Sequence, residues 1–192
     1  MPQSLSAVYI HLVFSTKHRQ PFLRDKSLRE DLHAFLGGTS KTLECPPLIV
    51  GGVEDHVHLL ARFGRTITQA EWVKELKRVS NLWLKKEAGI ADFEWQAGYS
   101  DFSVSQSNLE RVKRYITNQE RHHLKKSFQD EVRALLTKHH IEWDERYIWD
   151  WRNRVAVGFR YQTETQGSRC GGNSGLEDGT ALRLRPKTDC CG

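Results

Sequence analysis

No stretch of this chain is apolar enough for long enough to cross a bilayer, which takes roughly 20 residues. The opening "MPQSLSAVYIHLVF" has neither a basic segment nor a cleavage site, so it does not read as a secretory signal. The expected location is cytoplasmic, with no membrane partner. Cysteine is scarce: Cys45 stands alone before two prolines, and Cys170, Cys190 and Cys191 fall near the end. Their spacing fits no zinc pattern and no disulfide framework, so free thiols are expected. There is no internal repeat. The aromatic signature of an RNA-binding sheet is also missing.

What is present suits a soluble globular domain. The chain has 192 residues, enough for one domain and an appendage with a core that needs no covalent staples. A net charge of +5 favours a polyanionic partner. "VYIHLVF" (8–14) alternates: Val8, Ile10, Leu12 and Phe14 face one way, and Tyr9, His11 and Val13 the other. A basic loop, "KHRQPFL", follows. Residues 25–44 have helical spacing in Leu28, Leu32, Phe35 and Leu36, with a break expected at Gly37-Gly38. "PPLIVGGV" and "EDHVHLLARF" pair most simply as a hairpin around 51–54, with Gly51-Gly52 within the strands as a bulge the alternative. Residues 66–89 form the clearest helix, with Trp72, Val73, Leu76, Val79 and Trp83 as its buried stripe. Residues 93–105 carry strand signals, and "SNLERVKRYITNQERHHLKK" and "SFQDEVRALLTKHH" carry helical ones.

The order is strand, helix, strand, strand, helix, strand, helix. It predicts an α+β, ferredoxin-like or RRM-like antiparallel sheet with helices on one face, plus a C-terminal helix. Residues 1–151 form the expected domain. Residues 152–192 turn rich in Gly and polar residues without a period, and a disordered tail is expected there.

"VEDHVHLLARF" raises the functional question. Val53, Val57, Leu59, Ala61 and Phe63 make a core face, which leaves Glu54, His56, His58 and Arg62 on an open one. Period two aims both imidazoles the same way, roughly 7 Å apart at the backbone, close enough to share one cation. His11 on the first strand can project from that face as well. In "ERVKRYITNQERHH", Tyr115 and Gln119 are four residues apart and stack on one helix face beside the apolar residues Leu109, Val112 and Ile116. Arg111 lies one turn before Tyr115. His122 and His123 read as solvated helix residues.

With both segments in view, the chain resembles the single-tyrosine HUH transposases of the insertion-sequence-200 type. The blocks that carry the resemblance are "YIHLVFSTKHRQPFL", "EDHVHLL", "LKRVSNLWL", "WQAGYSDFSV" and "RYITNQ", in the family's order over nearly all of residues 5–125. The resemblance implies divalent-metal-dependent cleavage and rejoining of single-stranded DNA. It assigns Tyr115 as nucleophile and His56, His58 and Gln119 as metal ligands. It also implies a homodimer whose active sites are completed in trans, acting on DNA hairpins at the element's ends. Mg²⁺ is the expected ion, with Mn²⁺ able to substitute because it tolerates nitrogen ligands better.

DNA must reach such a site. Lys17 and Arg19 in the first loop, Lys74, Lys77 and Arg78 along the long helix, and Arg111 beside the tyrosine are the candidate phosphate contacts. Tyr9 and Phe102 are candidate stacking platforms for unpaired bases. Two other readings are a non-catalytic RRM-like module that binds single-stranded nucleic acid, and a domesticated HUH nickase acting on repeated hairpins.

Overall fold

Side chains that alternate along β1 (Tyr9–Ser15) present two faces that both need cover. The computed structural model, which describes residues 5–149, covers both. Strand β1 lies inside the sheet, antiparallel to β3 (His56–Arg62) on one side and to β4 (Ser100–Val104) on the other. Strand β2 (Pro47–Gly52) pairs outside β3, giving the order β2-β3-β1-β4. This is the α+β, ferredoxin-like arrangement that the sequence predicts.

Helices α1 (Lys26–Thr42) and α2 (Gln69–Lys86) cover the first face. The Asp25 side chain accepts from the Leu28 amide at 3.0 Å, and Thr68 with Glu71 forms a reciprocal capping box on α2. Gly37-Gly38 does not break α1. A glycine inside a helix costs about 1 kcal/mol relative to alanine, and burial of Leu32 and Leu36 in the preceding turns outweighs that. Those leucines, with Trp72, Val73 and Leu76, pack on Ile10, Leu12, Phe14, Val57, Leu59 and Ala61. Ser80 and Leu84 are buried where Val79 and Trp83 were expected. Ser40 accepts from the Trp72 indole at 3.1 Å and Ser80 from the Trp95 indole at 2.9 Å, so neither N–H is orphaned.

The second face, expected to be open, is closed. Over it lie α3 (Leu109–Thr117), α4 (Gln119–His123) and α5 (Phe128–Lys138), followed by the short α6 (Glu145–Ile148). The reason is apolar residues sharing the histidine face. Leu60 packs with Leu109 and Ile116, while Val13 and Phe102 pack with Phe128, Val132 and Leu136. The expected single helix through His123 is divided at Asn118 (φ −96°, ψ 21°). The expected strand over 93–105 narrows to β4, with Trp95 making one isolated bridge to Thr16.

No helix among the described residues is long and apolar enough to cross a membrane. Cys45 is buried and free, its sulfur accepting from the Gly64 amide at 3.2 Å. The expected domain boundary at 152, the tail 152–192 and the three cysteines within it lie outside the described residues.

Candidate active site

The register of β1 against β3 begins the site. Val13 lies opposite His58 and Ser15 opposite His56, so both imidazoles rise from the face that α3–α5 cover. His56 and His58 are fully buried, and Gln119 and Glu131 are only 1% exposed. A buried imidazole needs partners for both ring nitrogens or a ligand for one. Nδ1 of His56 meets Asp55 Oδ1 at 2.7 Å, and Nδ1 of His58 meets His11 Nε2 at 3.0 Å. Carboxylates only accept, so Nδ1 of His56 carries the hydrogen and its Nε2 offers a lone pair. The Nε2 atoms of both rings, and the Oε1 of Gln119, are buried without a hydrogen-bond partner.

Helix α3 brings the phenol to this centre because β2 lets it approach. A methyl group on Gly51 would sit 2.7 Å from Ile116 Cγ2 and 2.9 Å from the Ile116 carbonyl oxygen, so only glycine admits this packing. Gly51 pairs with His58 across the β2–β3 ladder. The Tyr115 ring stands edge-on to His58 at 5.9 Å and to His11 at 6.1 Å between centroids. Tyr115, Gln119, His56 and His58 therefore converge within one chain.

Glu131 of α5 occupies the middle. Its Oε1 accepts from the Tyr115 hydroxyl and from Gln119 Nε2 (3.1 Å). Its Oε2 lies 3.2 Å from His123 Nε2, 3.5 Å from His58 Nε2 and 3.6 Å from His56 Nε2. Burial alone would raise the Glu131 carboxyl, but the hydrogen bond from His123 and the approach of His58 hold it far below the usual carboxylate range. Burial, and then the charge of Glu131, push the Tyr115 phenol well above its ordinary value. Burial pulls His58 down to about 4 and, with His58 beside it, His11 down to about 3. Burial alone would lower His123, but its hydrogen bonds to Glu131 and to the Lys126 carbonyl raise it, so a His123–Glu131 pair sits beside the lowered imidazoles of His58 and His11.

Two of these residues were not read from the sequence. His123, expected to be solvated, turns its Nε2 into the centre. Glu131 lies in "SFQDEVRALLTKHH", which showed only a helical pattern and singled out no site residue. Its signal was available: Phe128, Val132, Leu135 and Leu136 form the apolar stripe of α5, and Glu131 holds the i+3 slot within it.

The expected DNA contacts divide. Arg111 is exposed and lines a cleft of about 300 Å³ between α3 and α5, together with Tyr115, Lys126 and Lys138. Lys74, Lys77 and Arg78 ride on α2, whose buried side packs on the opposite face of the sheet. The Lys77 ammonium hydrogen-bonds the carbonyls of Gln96 (2.8 Å), Ala97 (3.3 Å) and Gly98 (2.7 Å), which fixes that loop. Arg78 is paired bidentately with Glu75. Lys17 pairs with Glu94, and the Arg19 guanidinium lies 6.0 Å from the centre of the Trp149 ring. Tyr9 and Phe102 pack inside rather than offering platforms: Tyr9 is half-buried beside Leu60, and Phe102 is buried and stacks on His139 at 4.7 Å.

Fold and site together define a class: an antiparallel α+β domain with paired strand histidines facing a helix-borne tyrosine. The chain belongs to the IS200-like transposases, whose family model matches residues 4–119. Among solved structures, a protein described as a transposase from Deinococcus radiodurans R1 is 23% identical, with a TM-score of 0.46 over 62% of this chain and 98% of its own. A REP-associated tyrosine transposase bound to a REP hairpin is 9% identical, with a TM-score of 0.43 over 62% of this chain and 68% of its own. No curated protein matches the chain. The family match takes in His56, His58, Tyr115 and Gln119 and stops short of His123 and Glu131.

Proposed function

We propose that this transposase cleaves and rejoins single-stranded DNA through Tyr115, with a divalent cation held by His56, His58 and Gln119. One observation carries the reading. A phenol stands beside two buried imidazole Nε2 atoms and a carboxamide oxygen that have no hydrogen-bond partner among the described residues. Unpartnered buried polar atoms of this kind are costly unless a ligand takes them. Two imidazole nitrogens and a carboxamide oxygen converging beside a phenol make a donor set that suits a divalent cation.

The chemistry follows from the residue types. The Tyr115 oxygen forms a bond to phosphorus as the bond from phosphorus to the 3′-oxygen breaks. That oxygen takes up a proton and leaves as a 3′-hydroxyl, while the protein keeps a 5′-phosphotyrosine. The phosphodiester is conserved, so a second 3′-hydroxyl can reverse the step and join new ends. Oε1 of Glu131 accepts the Tyr115 hydroxyl and is placed to take its proton, and Gln119 Nε2 steadies the same oxygen. When bound, a divalent cation supplies Lewis-acid pull on a nonbridging phosphate oxygen. Arg111, Lys126 and Lys138 at the mouth of the cleft attract the phosphates on either side. The resemblance implies Mg²⁺ as that cation, with Mn²⁺ substituting.

The substrate is single-stranded DNA with hairpins at the element's ends, on the strength of family membership. The resemblance also implies a homodimer with sites completed in trans. Within one chain, however, α3 rests on Gly51 and its phenol bonds Glu131, which supports completion in cis. The test is incubation with labelled single-stranded hairpin DNA and Mn²⁺. A covalent protein–DNA adduct that survives denaturation is expected, lost in Tyr115→Phe and on chelation. Tight binding without any adduct would instead favour an RRM-like binding module.

A further inference from the structure

We propose that His123 and Glu131, both beyond the family-matched residues 4–119, are direct ligands of the same cation as His56 and His58. The proposal rests on the metal-dependent reading above and enlarges its donor set. Three observations carry it.

The first is convergence. One donor atom from each of His56, His58, His123 and Glu131 lies within 4.8 Å of every other. A cation about 2.1–2.2 Å from each donor needs opposite donors about 4.4 Å apart, so the cluster closes with shifts of a few tenths of an ångström. The second is how the rings are held. A ligating histidine is oriented by a partner on its other nitrogen. His56 has Asp55 on Nδ1 (2.7 Å), His58 has His11 on Nδ1 (3.0 Å), and His123 has the Lys126 carbonyl on Nδ1 (2.8 Å). All three present Nε2 to the same point. A carbonyl only accepts, so Nδ1 of His123 carries a hydrogen, and Nε2, which meets Glu131 Oε2 at 3.2 Å, is the atom that a cation would take in place of that contact. The third is that the Nε2 atoms of His56 and His58 are fully buried with no hydrogen-bond partner among the described residues, while the Glu131 oxygen near both lies beyond good hydrogen-bond length, at 3.5–3.6 Å.

The donor set defines the ion. Three imidazoles, a carboxylate and the Gln119 carboxamide suit a first-row transition cation such as Mn²⁺, Co²⁺ or Zn²⁺, whereas Mg²⁺ prefers an all-oxygen shell. The expectation of Mg²⁺ from the resemblance rested on two imidazoles and that carboxamide. Glu131 also joins the two halves of the site, with Oε2 toward the cation and Oε1 on the Tyr115 hydroxyl, so cation binding would position the nucleophile.

The experiment is Mn²⁺ binding to the full chain without DNA, followed by the EPR signal of the free ion. Glu131→Gln keeps the side-chain volume, and both it and His123→Gln are expected to weaken Mn²⁺ binding by at least about 10-fold. Pulsed EPR of the unaltered protein gives a second measurement that needs no variant, and three coupled imidazole nitrogens are expected. Two nitrogens, or unchanged Mn²⁺ affinity in both variants, would overturn the proposal and leave Glu131–His123 as a structural ion pair. His58→Ala separates the two levels. If it abolishes Mn²⁺ binding while the Glu131 and His123 variants bind normally, the metal-dependent reading stands without the enlarged site. If it leaves Mn²⁺ binding intact, the reading beneath the proposal fails as well.

Discussion

Partial burial, and then the nearby Arg29 guanidinium, pull the His33 imidazole on α1 from 6.5 down to about 4. An unfolded chain takes up a proton on this ring below 6.5, and the folded chain does not until about 4. The unfolded state therefore binds more protons in that window, and stability falls as the pH drops through it. Each pH unit is worth at most about 1.4 kcal/mol. Melting curves taken from pH 6.5 to 4 should fall less steeply for His33→Gln than for the unaltered protein; parallel curves would show that His33 does not contribute. The residues of the proposed site were more legible than this one. Tyr115 and Gln119 could be paired from their spacing, and His56 and His58 from strand alternation, because both signals are local. Glu131 and His123 were not, because their meaning comes from α5 folding back over the sheet. A lone carboxylate within an apolar stripe marked the place without naming its partners.

Elements set the precision of the site. Helix α3 lies against β2 at Gly51, where any side chain would meet the Ile116 backbone. Gly51→Val should cost about 1–3 kcal/mol in a denaturant titration. It should also lower adduct formation by roughly 100-fold, since displacing a catalytic group by about an ångström is enough for that. Gly38→Ala, with nothing within 4 Å of the added methyl, should leave adduct formation unchanged. Equal behaviour of the two variants would mean that α3 does not depend on the close approach. The four strands and both helices of the first face could be read from periodicity. The break at Asn118 could not, since "RYITNQERHH" has neither proline nor glycine to mark it. It depends on how Ile116 and Gln119 dock, and those are tertiary contacts.

At the scale of the molecule, the sheet is two-sided. One face holds the larger core under α1 and α2, and the other holds the site under α3–α5. Leu60 and Val13 on the polar face were the sequence signal that this face is covered. They are few beside the histidines, so the face read as open. The basic residues of α2 consequently serve the far side, and the cations at the site are Arg111, Lys126 and Lys138. The central claim is that one chain assembles its own phenol, carboxamide and imidazoles around a cation. Mixing Tyr115→Phe chains with His58→Ala chains tests it most directly, because each variant keeps what the other lacks. With labelled single-stranded hairpin DNA and Mn²⁺, the account predicts that the mixture forms no covalent adduct while the unaltered protein does. An adduct on Tyr115 of the His58→Ala chain would contradict it, because that tyrosine could act only with a neighbouring chain's histidines.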